Sequence, residues 1–196
     1  MPELGPVAWP PAPILTERLV LRATEARDRA AYVDLLSSEQ VHAHLGGARS
    51  RDELERAVPR VPGSHAGVFA VELAGAMVGT VTFDRRGAER PGHVRVEGDE
   101  VEVGYLFLPE AWGHGYATEA ARALLQWAFD TLDLNRVQAE TDTRNAASAR
   151  VLEKLGFVCE GTLREDCVVN GEVSDSWVYG LLRREWRQSS DLGAGH

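Results

Sequence analysis

Residues 106–132 read LFLPEAWGHGYATEAARALLQWAFDTL, and the order of residue types here decides how the rest of the chain is arranged. An apolar run ends at Pro109, a turn follows with Gly113 and Gly115, and a segment with helical spacing begins. Ala117, Ala121, Leu124, Ala128 and Leu132 recur at steps of three and four, which predicts one apolar stripe facing a sheet. The stretch reads strand, glycine turn, helix. Glycine lets backbone approach a ligand closely, and the first turn of the next helix carries N–H groups that have no intrahelical acceptor. The helix dipole favours negative charge at that end, so the turn is a candidate anion site. A tight connection whose glycines serve only its geometry accounts for the same spacing.

The strand that feeds this turn, EVEVGYLFL at 100–108, alternates with a period of two. Glu100, Glu102, Gly104, Leu106 and Leu108 fall on one face and Val101, Val103, Tyr105 and Phe107 on the other. Glu102 is a candidate base for an amine, through a water, and reads equally as a solvated strand end. Beyond the helix, NRVQAET at 135–141 is strand-like, and NAASARVLEKLGF at 145–157 is a helix with Asn145 as N-cap and Gly156 just past its end. Ser148, Leu152 and Leu155 share its inward side, so the Ser148 hydroxyl faces either a cleft or its own backbone.

Upstream, residues 1–15 form an extended, proline-broken lead-in, TERLVLR at 16–22 a first strand, and 27–36 a helix. Ser50 and Glu53 have capping-box spacing before a second short helix that Pro59 and Pro62 stop. GVFAVEL at 67–73 and MVGTVTF at 77–83 read as a hairpin, 84–99 as a long polar loop. Residues 157–164 and 176–182 read as strands around a turn at Asn170 and Gly171, and 188–196 as a disordered tail. His42 and His44 lack a matching ligand set, so no metal is expected.

The chain has 196 residues, the size of one domain, here 16–187. Thirty acidic against 21 basic residues leave a formal net charge of −9, which disfavours a nucleic-acid partner and mildly favours cationic ones such as amines. Apolar runs are too short for a membrane span, and the start has no basic, apolar leader pattern. Cys159 and Cys167 form no disulfide framework, which fits the cytoplasm.

Taken together, TERLVLR, EVGYLFLPEAWGHGYATEA, TDTRNAASARVLEKLGF, GTLRE and DSWVYGLL over residues 17–186 resemble the GCN5-related N-acetyltransferases (GNAT), and among them the bacterial ribosomal-protein N-terminal acetyltransferases. The resemblance implies an α+β fold: a strongly curved, mostly antiparallel sheet, flanked by helices and splayed in a V at its central strands. Acetyl-CoA is then the cosubstrate, held by Trp112, Gly113, His114, Gly115, Tyr116, Ala117 and Thr118 at its diphosphate and by Leu106, Phe107 and Leu108 along its pantetheine arm. Asn145 contacts that arm or the cleft wall. Trp112 stands where the family pattern has Arg or Gln, so the loop relies on backbone N–H groups, with His114 as an added donor. Arg144, Arg150 and Lys154 are offered as phosphate contacts or as solvated helix face.

Direct acetyl transfer to a primary amine follows from the resemblance, with Glu102 and Ser148 as the catalytic pair and Leu106 or Phe107 N–H on the carbonyl oxygen. A protein or peptide N-terminal α-amine is the expected acceptor. The alternatives are a small amine such as a polyamine or aminoglycoside, or a non-catalytic acyl-CoA-binding module. A homodimer is also expected, with Trp177 and Tyr179 in its contact or in the core.

Overall fold

The computed structural model describes residues 9–85, 100–132 and 134–186. Residues 86–99 of the expected polar loop, the first eight residues of the lead-in and the tail at 188–196 lie outside them. Eight strands form one sheet: β1 (Ile14–Leu15), β2 (Leu19–Arg22), β3 (Val68–Leu73), β4 (Ala76–Arg85), β5 (Glu100–Phe107), β6 (Arg136–Asp142), β7 (Val158–Val169) and β8 (Glu172–Leu182). The α-helices are α1 (Arg29–Ser37), α2 (Arg51–Ala57), α3 (Tyr116–Thr131) and α4 (Ala146–Lys154). Strand order is β1-β2-β3-β4-β5-β6-β8-β7, antiparallel throughout except where β5 meets β6.

Two hairpins follow from their turn residues. Ala74 (φ 50°) with Gly75 (φ 88°), and Asn170 (φ 53°) with Gly171 (φ 81°), supply the two left-handed positions of a two-residue turn whose twist matches the flanking strands. Among the described residues the only parallel neighbours, β5 and β6, are joined by α3, the crossover that parallel strands require.

The predicted stripe of α3 is the side that packs on the sheet. Ala121, Leu124, Ala128 and Leu132 are buried with Leu125 and Phe129. Complete burial of Leu124 and Leu125 contributes roughly 1.5–3 kcal/mol each. Phe69 of β3 meets the ring of Trp127 edge-on at 5.6 Å. Alternation along β5 also holds: Val101, Val103 and Phe107 enter this core with Tyr105 against it, whereas Leu106 and Leu108 pack on a smaller cluster of Leu35, Ala70 and Met77 on the α1 side. Trp177 and Tyr179 belong to the large core.

Local expectations needed adjusting at several places, among them the last two strands, which extend beyond 157–164 and 176–182 to Val158–Val169 and Glu172–Leu182. Residues 16–18 form a turn, in which Thr16 Oγ1 accepts from Leu19 N–H (2.8 Å), and the strand begins only at Leu19. Helix α2 starts after Ser50, but no side-chain bond caps it. A box-like bond occurs instead at Glu25, whose N–H donates to Asp28 (2.7 Å), because Asp28 is held there by the buried guanidinium of Arg22. Finally, β4 continues to Arg85.

Candidate active site

β5 and β6 pair only over Glu100–Glu102 and Arg136–Gln138, although β5 runs on to Phe107 and β6 to Asp142. Past Glu102 the two parallel strands diverge and leave a wedge. Both connections leave at the same end, so the glycine turn before α3 and the N-terminus of α4 flank its mouth. Backbone direction along β5 can be read from its bonds. Leu108 N–H donates to Val78 C=O in β4 (2.9 Å). Alternation therefore turns Leu106 toward β4 as well, and Tyr105 and Phe107 toward the wedge. On that side Phe107 C=O accepts from Trp112 Nε1 (2.7 Å). The Trp112 indole thus ties the turn back to the strand it left.

Gly113 (φ 80°) and Gly115 (φ 81°) are both left-handed, a conformation costing a side-chain-bearing residue about 1–2 kcal/mol. Trp112 N–H bonds Pro109 C=O (3.1 Å), and the next amide with a backbone acceptor is Glu119, which bonds Gly115 C=O (3.0 Å). Among the described residues, the amides of 113–118 donate to no protein acceptor. Several consecutive unpaired N–H groups at a helix N-terminus make an anion cradle. His114 stacks on Tyr116 at 5.5 Å, and the Arg18 guanidinium lies over the Tyr116 ring at 4.6 Å. A shallow depression of about 390 Å³ alongside is lined by Glu17, Gly115, Thr118, Glu119, Arg122 and Lys154. Burial alone would raise the Glu119 carboxyl, but bonds from Thr16 and from Arg18 outweigh it and hold the group below its ordinary range.

Asn145 caps α4 by accepting from Ser148 N–H (3.0 Å). Asp142 sets up this cap by accepting from the backbone N–H (2.7 Å) and the guanidinium of Arg144. The Arg144 bonds, against some desolvation, keep the Asp142 carboxyl well below the usual carboxylate range. Tyr105, reaching from β5, has its hydroxyl 2.8 Å from Ser148 Oγ and donates to Ser148 C=O (3.1 Å). Burial pushes the Tyr105 phenol up to about 12, with its Ser148 bond acting the other way. It is therefore a neutral hydroxyl at any physiological pH.

The fold brings Trp112 to Thr118, Phe107, Asn145 and Ser148 to the mouth of one wedge. Leu106 and Leu108 turn their backbones to β4 and their side chains to the α1 side. Glu102, half-buried, is the last β5 residue paired with β6 and shares the Leu106 face, while Ser148 joins Tyr105 on the other. The two expected catalytic groups thus approach the wedge from opposite faces of β5. Sequence reasoning did not single out Tyr105 or Arg18 for the site. The odd register of Tyr105 along a strand whose even positions carry the carboxylates was the available signal; Arg18 gave none, lying about a hundred positions from its partner.

Comparison with known proteins bears on the fold and the family. Residues 18–158 match the acetyltransferase (GNAT) domain model. "Uncharacterized N-acetyltransferase YoaA" of Bacillus subtilis (strain 168) is 31% identical over 87% of this chain and 97% of its own length. "Putative ribosomal N-acetyltransferase YdaF" of the same organism is 41% identical over 44% of this chain and 48% of its own. The crystal structure of a GNAT-family acetyltransferase from Bacillus anthracis superposes with a TM-score of 0.73 at 28% identity, covering 89% of this chain and all of that one. The chain belongs to the GNAT family and is an N-acetyltransferase. Its family uses acetyl-CoA as the acyl donor.

Proposed function

We propose that this enzyme transfers an acetyl group from acetyl-CoA, seated in the wedge between β5 and β6, to the α-amine at a protein or peptide N-terminus, as ribosomal-protein acetyltransferases do. The observation that carries the donor site is the run of uncommitted amides at 113–118 beside strands that part after Glu102. Those amides hold the diphosphate, and the wedge-facing backbone of Tyr105 and Phe107 holds the pantetheine amides as an added strand would. Phe107 N–H, rather than that of Leu106, donates to the thioester oxygen as it gains charge.

Glu102 takes a proton from the amine through a water on the Leu106 face. As the C–N bond forms and the C–S bond breaks, Ser148 Oγ, with Tyr105 bonded to it, gives its proton to the departing sulfur and regains one from solvent, while Glu102 releases to solvent the proton it took from the amine. An α-amine of pKa about 8 is roughly a tenth neutral at pH 7, whereas a lysine amine near 10.4 is almost wholly charged. One half-buried carboxylate suffices for the former. The ribosomal name of the 41%-identical relative supports the same acceptor class.

We further propose a single acetyltransferase unit over 16–187, acting in the cytoplasm as a homodimer that covers Val158, Leu163, Val168 and Val173, all exposed on β7 and β8. Among the described residues no helix is long and apolar enough to cross a membrane.

Thiol release from acetyl-CoA, measured with free-α-amine peptides, the same peptides with blocked α-amines, and spermidine, tests the acceptor. Activity confined to the free peptides is expected. Turnover on spermidine alone would transfer the assignment to small amines, and CoA binding without turnover on any amine would leave a binding module.

A further inference from the structure

The TERLVLR segment carries much of the family resemblance, yet the chemistry above leaves it idle. Its side chains converge on the cofactor turn. Thr16 Oγ1 donates to Glu119 Oε1 (2.6 Å), as does Arg18 N–H (3.0 Å). Arg18 Nε donates to Glu119 Oε2 (2.7 Å), with Nη2 2.6 Å from the same oxygen. Arg18 Nη1 donates to His114 C=O (3.0 Å).

Two consequences follow from elementary geometry. A trans peptide is planar, with its C=O and N–H pointing in opposite directions. The His114 carbonyl and the Gly115 N–H belong to one such unit, so a carbonyl held by Arg18 forces that N–H to face away from Arg18. Glycines on both sides of His114 would otherwise leave this unit free to rotate. Secondly, Glu119 lies in the first turn of α3, where its charge suits the helix dipole but opposes a diphosphate. Arg18 neutralises that charge in place.

We propose that Arg18, seconded by Thr16, is the positioning residue of the donor site: it locks the 114–115 peptide with its amide toward the diphosphate and cancels the Glu119 carboxylate beneath it. This rests on the acetyl-CoA reading of the turn. Its role is confined to the diphosphate end of the donor, away from the reacting thioester.

The test compares acetyl-CoA with S-acetylpantetheine, a thioester donor that lacks the diphosphate. Calorimetry of CoA with the wild-type protein comes first, since absence of binding there would remove the underlying reading itself. With binding established, Arg18→Met is expected to raise KM for acetyl-CoA about tenfold at unchanged kcat, the effect of losing charge-assisted bonds that orient one phosphate donor. Its kcat/KM for S-acetylpantetheine should equal the wild type's. Arg18→Lys keeps a cation for Glu119 but cannot span to His114 as a planar fork does, so it should show a smaller loss of the same selectivity. It also serves if Arg18→Met folds poorly. Equal losses with both donors, or none with acetyl-CoA, would overturn the proposal while leaving the acetyltransferase reading intact.

Discussion

Replacing Gly113 by Ala asks whether the turn's shape is there for a ligand, and Gly171→Ala supplies a matched control. The two glycines have φ of 80° and 81°, and a Cβ added at either meets no heavy atom within 4 Å. Both substitutions therefore carry the same purely conformational penalty, about 1–2 kcal/mol. What differs is what holds each turn. Gly171 closes a hairpin between paired Val169 and Glu172, so its turn cannot relax. The penalty there falls on stability and lowers Tm by about 2–8 °C. Gly113 sits exposed between the Trp112 and Arg18 anchors, in a turn that no strand pairing closes and whose next amides are uncommitted, so the free protein relaxes more than the hairpin does and loses less. The penalty then returns on binding, when the amides must be re-aimed, and weakens acetyl-CoA roughly 5- to 30-fold. At a hundred times the wild-type Kd, ligand stabilisation of about 2.7 kcal/mol should persist in Gly171→Ala and fall to about 1–2 kcal/mol in Gly113→Ala. Thermal unfolding with and without acetyl-CoA reads both quantities. A Gly113→Ala protein with wild-type ligand stabilisation and wild-type KM would refute the assignment of the turn to the donor.

Ser148→Ala should lower kcat roughly a hundredfold with little change in KM for acetyl-CoA, because a proton donor acts only as the C–S bond breaks. Tyr105→Phe, which frees Ser148 Oγ, should cost about two- to tenfold in kcat, and nothing further once Ser148 is Ala; additive losses would show that Tyr105 acts elsewhere. The raised Tyr105 phenol stabilises the fold fully below the unfolded value near pH 10, and that contribution disappears as pH rises toward about 12. Urea midpoints between about pH 9 and about pH 12 should therefore fall less steeply in Tyr105→Phe, with Tyr32 and Tyr179, also raised by burial, keeping a residual slope. Asn145→Ala removes the N-cap of α4 and should cost about 1 kcal/mol, a Tm drop of about 2–4 °C.

The order strand, glycine turn, helix at 100–132, the hairpin turns and the Asn145 cap are legible in the sequence because each is a local event. Side-chain period, left-handed glycine and a cap bond span only a few residues. The same locality explains the miss at Ser50: Ser-x-x-Glu spacing permits a box without requiring its bonds. Likewise Thr16 to Arg18 have strand-like composition, but a turn forms there because Glu119, far along the chain, takes their donors.

By itself, then, the sequence determined the elements, the period of β5 and the residues able to cradle an anion. Only the tertiary structure decided that β5 and β6 part after Glu102, that Phe107 rather than Leu106 turns its amide into the gap, that Tyr105 bonds Ser148, and that Arg18 holds the turn. Each of these depends on which groups lie across from one another after chain segments far apart in sequence have packed. Backbone direction and side-chain partnership are set by that packing, and no spacing rule within one segment encodes it.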